Sequence, residues 1–372
     1  MNTSIKLGKI MGIPIGIHGS WFLIFALITW SLGSGYFPQE YPNLPMSAYL
    51  VLGIVTSLLF FGAVLFHELG HAFIALRNKI PVKGITLFIF GGVAQIGREP
   101  ATPGAEFRIA IAGPLASLLL AGFFGGLYLL DQQIPYLAAP SLYLMRINLI
   151  LALFNMIPGF PLDGGRVLRA IIWKLNGSFL KATQIASGSG QVIAFAFIGL
   201  GILTVFRGSL LNGLWLAFIG WFLQNAAAAA ASQVSFEEGL RGLTVGQVMN
   251  REFVEIPGLI TLNQIVQERV LGFGQHSFIV TDFNGFKLGL LTLEDITRIP
   301  QIKWRFVSAQ EIMTPIHKLQ YFEPNEDLLI ALRKMDEENI PQMPVIDEQH
   351  LVGMLYRENI LRYLKLRSKL NI

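Results

Sequence analysis

The sequence predicts a polytopic α-helical membrane domain, with about six transmembrane helices and a membrane-associated β-hairpin, followed by a duplicated α/β module. Three observations carry that expectation. Of the 372 residues, 53% are hydrophobic and 14% charged, against about 25% charged in soluble domains. Apolar runs long enough to cross a bilayer recur as far as Ala231. Acidic residues avoid that region. Of 24 in the chain, only Glu40, Glu68, Glu99, Glu106, Asp131 and Asp163 precede Ser235, which leaves eighteen in the tail. The shift predicts a membrane domain over 1–235 and a soluble tail over 236–372.

The apolar segments cover residues 21–36, 49–76, 109–130, 142–157, 191–206 and 211–231. The first follows Lys6 and Lys9 without a cleavable small-residue site, so it reads as a retained span rather than a signal peptide. Gly122 and Gly126 in the third, and the alanine run at 226–231 in the sixth, are expected at close helix contacts. Residues 84–96 are rich in β-branched and aromatic side chains and broken by Gly91-Gly92, which reads as a hairpin. A strand edge in lipid must lie against protein or a watery cavity.

Loop charges set the orientation. Arg77, Lys79, Lys83, Arg98 and Arg108 follow the second span, and Arg166, Arg169, Lys174 and Lys181 follow the fourth. Residues 37–46 and 131–141 contain no Lys or Arg. Positive-inside bias therefore predicts both termini and the tail in the cytoplasm. The pI near 9.2 follows from those loops and requires no nucleic-acid partner.

The tail repeats itself. Thr244-Val245-Gly246-Gln247-Val248-Met249 returns as Ser308-Ala309-Gln310-Glu311-Ile312-Met313, and Phe278-Ile279-Val280-Thr281-Asp282 returns as Met343-Pro344-Val345-Ile346-Asp347. Two copies of one small α/β unit are predicted, at about 243–300 and 307–366.

The chemistry lies in Phe66-His67-Glu68-Leu69-Gly70-His71. Histidines four apart are separated by about 40° around a helix, so both imidazoles reach one ion. Glu68 lies about 100° from His67, close enough to hold water without being a ligand. An unpaired glutamate in an apolar span costs ~2.5 kcal/mol or more, so function is the default reading. With no cysteine in the chain, a third metal donor must come from His, Asp or Glu. His18 precedes the first span, Glu40 and Asp131 lie in loops on the opposite side, and Glu99 and Glu106 lie in a Pro-rich loop. Asp163 fits best, because Pro158, Pro161 and two glycines break the chain beside it at the depth of the histidines. Two readings stand for it, a third ligand or the N-cap of the helix that follows.

Phe66-His67-Glu68-Leu69-Gly70-His71-Ala72, together with Asn155-x-x-Pro158-x-x-Pro161-Leu162-Asp163-Gly164-Gly165, resembles the site-2 protease family of intramembrane zinc metalloproteases. Gly91-Gly92 and Ala112-Gly113-Pro114 match as well. The resemblance covers most of the chain up to Ala231. It implies one Zn2+ held by His67, His71 and Asp163, with Glu68 as general base and acid. Asn155 would orient substrate or stabilise the oxyanion. It also implies a multi-pass protein of a bacterial-type plasma membrane acting on transmembrane protein substrates. An unwound substrate could pair with a strand edge at Ile85, Thr86, Leu87 and Phe88.

The repeated tail resembles a pair of cystathionine-β-synthase-type (CBS) domains. Gly289-Leu290-Leu291-Thr292-Leu293-Glu294-Asp295 fits that family's pattern, which puts Thr292 and Asp295 at the phosphate and ribose of ATP or another adenine nucleotide. The second copy has Tyr356 and Asn359 in those places. The tail therefore reads either as a nucleotide sensor or as a module that only homodimerises or packs on the membrane domain. Two rival classes remain for the whole chain, a CBS-regulated transporter and an inactive relative that binds membrane peptides.

Overall fold

A backbone in lipid must satisfy its own N–H and C=O groups, so long apolar runs become helices. The structure, a computed structural model, describes residues 4–89, 91–130, 132–348 and 350–370. It divides into two compact units, Met1–Val234 and Ser235–Ile372. Asp131 and Phe90 lie outside the described residues.

The first unit opens with β1 (Ser4–Ile10) and β2 (Ile13–His18). Helix α1 (Ser20–Ser31) continues through a π-helical turn at Leu32–Tyr36 into α2 (Phe37–Glu40). Helix α3 (Met46–Arg77) leads to β3 (Val82–Phe88) and β4 (Gly91–Ile96). Then come α4 (Pro103–Leu130), α5 (Pro135–Asn155), α6 (Asp163–Asn176), α7 (Phe179–Phe206) and α8 (Leu210–Leu240). Among the described residues six helical stretches are long and apolar enough to cross a membrane: Ser20–Glu40, α3, α4, α5, α7 and α8.

Span ends differ from the sequence expectation for local reasons. The first span reaches Glu40 because the backbone stays helical through the π-helical turn into α2 and leaves the helical region only at Tyr41. Helix α7 starts at Phe179, capped by the Ser178 side chain accepting from the Lys181 N–H. The polar residues 187–190 that masked this helix have a packing role. A Cβ on Gly159 would lie 2.6 Å from the Gly190 Cα, and the Phe160 N–H donates to the Ala186 carbonyl at 3.1 Å. The stripe thus docks the loop that precedes α6. Gly122 and Gly126 do not make the expected close contact, since a Cβ on either would meet nothing within 4 Å. Gly70 does, with its would-be Cβ 2.9 Å from the Ala112 carbonyl oxygen, which draws α3 onto α4.

The sheet is larger than the predicted hairpin. Four strands run in the order β1-β2-β3-β4. The amino-terminal pair escaped prediction because Lys6, Lys9 and the glycines read as a basic lead-in. This corrects the edge-strand expectation for Ile85, Thr86 and Leu87. They pair in parallel with Ile15, Gly16 and Ile17 on one side and antiparallel with Ala94, Val93 and Gly92 on the other. Phe88 pairs with Gly91 beyond the β2 register. The free edge on that side belongs to β4.

The second unit contains α9 (Val245–Val248), β5 (Glu255–Pro257), α10 (Leu262–Gln264), β6 (Ser277–Thr281), β7 (Lys287–Thr292) and α11 (Leu293–Thr297). The second copy follows with α12 (Ala309–Ile312), β8 (Thr314–Pro315), α13 (Leu328–Glu337), β9 (Gln342–Asp347), β10 (His350–Tyr356) and α14 (Arg357–Leu370). The copies exchange their leading segments. Val245 and Val248 are buried with Leu328, Met335 and Leu355 of the second copy, while Ala309 is buried with Ile256, Val280 and Leu291 of the first. The boundaries at 243 and 307 therefore mark sequence copies and not separate cores. A chain ending at Phe306 would lose Ala309, Ile312 and Met313 from the first core. Limited proteolysis should then cut residues 277–292 faster than in the full chain, and equal resistance would contradict the exchange.

Candidate metal centre

Helix α3 places His67 and His71 on one buried face, one turn apart. Their Nε2 atoms stand 3.2 Å from each other, and each lies 3.2 Å from Asp163 Oδ2. An ion bonded at 2.0–2.1 Å to tetrahedral donors holds them about 3.3 Å apart. The triangle has that size.

The other ring nitrogens are committed to α4. His71 Nδ1–H donates to the Ile109 carbonyl at 2.7 Å, which leaves a lone pair on Nε2. His67 Nδ1 lies 2.9 Å from Ser117 Oγ. Such partners fix ring orientation and raise ligand basicity. Between them Gly113 leaves the space open. A Cβ there would lie 2.5 Å from His67 Nε2 and closer still to His71 Nε2. Ile109, Gly113 and Ser117 thus form one stripe on α4, spaced by four. Sequence reasoning singled out Gly113 only as part of Ala112-Gly113-Pro114 and gave none of the three a role. The available signals were a lone serine in an apolar span and a glycine four residues before it.

Asp163 is the first residue of α6, and no side-chain hydrogen bond caps that helix. Its Oδ2 meets the imidazoles, so of the two readings the geometry favours the donor. Glu68 leans on β4: its Oε2 accepts from the Ala94 N–H at 3.2 Å, and a Cβ on Gly92 would lie 2.5 Å from its Cγ. Asn155, the last residue of α5, is half-buried and lines the same cleft of about 510 Å3 as His67, Glu68, His71, Phe88 and Asp163. Ile85, Thr86 and Leu87 do not line it, whereas Gly91 to Ala94 do. Trp215, Phe218 and Phe222 of α8 supply an aromatic wall.

In the tail a cavity of about 1010 Å3 opens between the copies, with Thr292 and Tyr356 in its lining. Ser277 Oγ and Tyr356 Oη, one from each copy, lie 2.9 Å apart. Asp295 is not part of that lining. Its Oδ2 accepts from the Thr292 hydroxyl at 2.7 Å and backbone N–H at 3.0 Å, and its Oδ1 lies 3.6 Å from Arg298. Thr292 and Asp295 thus form a capping box at the start of α11, with Thr292 on the cavity wall.

Two histidines and an aspartate closed at metal spacing, with a glutamate beside them and all within a bundle of apolar spans, define a metalloprotease-type centre in an integral membrane protein. The comparisons name the family. The model for peptidase family M50 matches residues 55–139 and 130–199, and the CBS domain model matches residues 309–366. The sll0528 protein of Synechocystis sp. is 34% identical over 371 residues, covering 98% of this chain and 96% of its own. Rip3 of Mycobacterium tuberculosis is 36% identical over 338 residues, 90% of this chain and 86% of its own. Both carry provisional zinc-metalloprotease names. A solved site-2 protease from Methanocaldococcus jannaschii is 31% identical, covers 61% of this chain and 95% of that one, and has a TM-score of 0.42. The chain belongs to peptidase family M50, in the site-2 protease group, and carries a CBS module.

Two substitutions probe the stripe on α4. Gly113→Ala should abolish stoichiometric zinc in the purified protein, read by elemental analysis, because the added methyl occupies the donor triangle. Ser117→Ala should weaken zinc about 10–100-fold by chelator competition, the usual effect of losing such a partner.

Proposed function

We propose that this protein is an intramembrane zinc endopeptidase that hydrolyses peptide bonds of membrane-spanning substrate proteins. The observation that carries the reading is the closed triangle of His67, His71 and Asp163 beside Glu68, facing a cleft with a strand edge on its wall. His67 Nε2, His71 Nε2 and Asp163 Oδ2 would hold the ion. Bound zinc supplies Lewis acidity, polarising the scissile carbonyl and acidifying water. Glu68 then takes a proton from water and returns it to the leaving amine. The Asn155 amide, lining the same cleft, serves as a donor to the developing oxyanion. An unwound substrate adds to the free edge of β4, where the Ala94 N–H already points at Glu68. The loop charges support a reading with the termini and tail in the cytoplasm.

The test is cleavage of a single-span protein co-reconstituted in liposomes. Glu68→Gln should keep one zinc per chain and lose at least about 100-fold in rate, within the range for a general acid–base group. Equal cleavage by variant and parent would sink the assignment.

For the tail we propose an adenosine-type ligand in the cavity between the copies, modulating the activity. The lining includes Glu252, Glu294, Glu338 and Glu358 against one arginine, Arg357, which is already ion-paired with Asp336. That balance favours ligands carrying little negative charge. Calorimetric titration of the full chain in detergent should rank S-adenosylmethionine and AMP above ATP; tighter ATP binding would contradict it. Homodimerisation through the tail belongs to the same proposal, and light scattering of the purified protein reads it.

A further inference from the structure

Arg169 on α6 and Glu106 on α4 are both buried, at 3% and 0% exposure. Arg169 Nε donates to Glu106 Oε1 at 2.6 Å, Nη2 donates to the same oxygen, and Nη2 also reaches Glu99 Oε2 at 3.2 Å. Glu106 Oε2 has no hydrogen-bond partner among the described residues. The guanidinium lies over the Phe160 ring at 4.8 Å and the Phe179 ring at 4.5 Å. Arg166 approaches the same Oε1 at 3.8 Å.

A buried ion pair is weak evidence for stability, because desolvating two charges offsets most of their attraction. Its location offers another reason for it. The donor triangle is built from two parts of the chain. Helix α4 anchors the histidines through the Ile109 carbonyl and Ser117 Oγ, and Glu106 lies one turn before Ile109 on that helix. The third donor starts α6, and Arg169 lies six residues further along it. The same guanidinium packs on Phe160, three residues before Asp163. Arg169 therefore grips the chain on both sides of Asp163 and ties it to the helix that sets the histidines. Its planar fork and stacking faces suit that task in a way a lysine's point charge does not.

We propose that Arg169, through Glu106 and Phe160, is a positioning residue that holds Asp163 in register with His67 and His71. The proposal rests on the triangle being a metal centre.

The experiment uses the full chain in detergent. Zinc affinity is measured by chelator competition, coordination by the visible absorption of the Co2+-loaded protein, and folding by thermal unfolding of the metal-free protein. The decisive variant is the double substitution Glu106→Leu, Arg169→Met, which removes both fully buried charges and leaves only the partly exposed Arg166 and Glu99 without these partners, so metal-free unfolding should stay near the parental midpoint. Its zinc affinity should nevertheless fall about 10–100-fold, the range for losing support of a ligand, with a changed cobalt spectrum. Arg169→Lys keeps the charge and should give an intermediate affinity; it also serves as the test if the double variant fails to fold. Parental zinc affinity and cobalt spectrum in these variants would overturn the proposal. A parent chain that binds neither zinc nor cobalt stoichiometrically would instead overturn the metal reading, and this inference with it.

Discussion

Three donor atoms from two distant stretches of chain meet 3.2 Å apart in surroundings that penalise every unpaired polar group. Two imidazole lone pairs and a carboxylate at that distance repel one another unless something positive lies among them. Much of the membrane unit is arranged around that constraint. Helix α3 gives two of the donor atoms, α4 meets their outer nitrogens through the Ile109 carbonyl and Ser117 Oγ, and the loop between α5 and α6 carries the chain back to the third. A loop at membrane depth is tolerated only against protein or a watery cavity, and residues 158–162 meet that condition by packing on α7.

Small residues make these approaches feasible. Helices in lipid gain little hydrophobic drive from association, so they rely on close packing. Gly70 draws α3 onto α4, Gly113 clears the space in front of both Nε2 atoms, and Gly159 against Gly190 seats the loop that ends at Asp163. Each glycine matters for the volume it leaves empty. Gly122 and Gly126 show the converse, since a small-xxx-small spacing there faces open space.

What was legible in the sequence follows from the range of each interaction. Periodicity within one helix put His67, Glu68 and His71 together, and prolines beside Asp163 marked the break where a third donor could turn inward. Both are local signals. The parallel pairing of β2 with β3 joins residues about 70 apart and left no pattern in either strand, so Ile85 to Leu87 looked like an edge. Similarly, the copies in the tail are self-similar, and a leading segment such as residues 244–249 fits either core by composition. Only the structure assigns Val245 to the second. Thr292 and Asp295 matched a nucleotide pattern, yet a Thr-x-x-Asp pair at a helix start is equally a capping box. Ser117 and Gly113 act through single contacts across helices, which no spacing rule announces.

The sheet clarifies how a half-buried Glu68, the proposed base, would find its substrate. A four-stranded sheet has two outer edges, each an invitation to pair with another chain. On β1 the exposed Lys6 and Lys9 discourage that. Strands β2 and β3 are paired on both sides at their shared register. That leaves β4, whose Ala94 N–H is bonded to Glu68. A carboxylate on that N–H satisfies it in the resting protein, so the edge carries no unpaired donor there. An incoming strand would displace it, and the group displaced is the proposed general base. Under the proposed function, pairing and release of the base would be one event, which would tie proton transfer to the presence of an extended substrate.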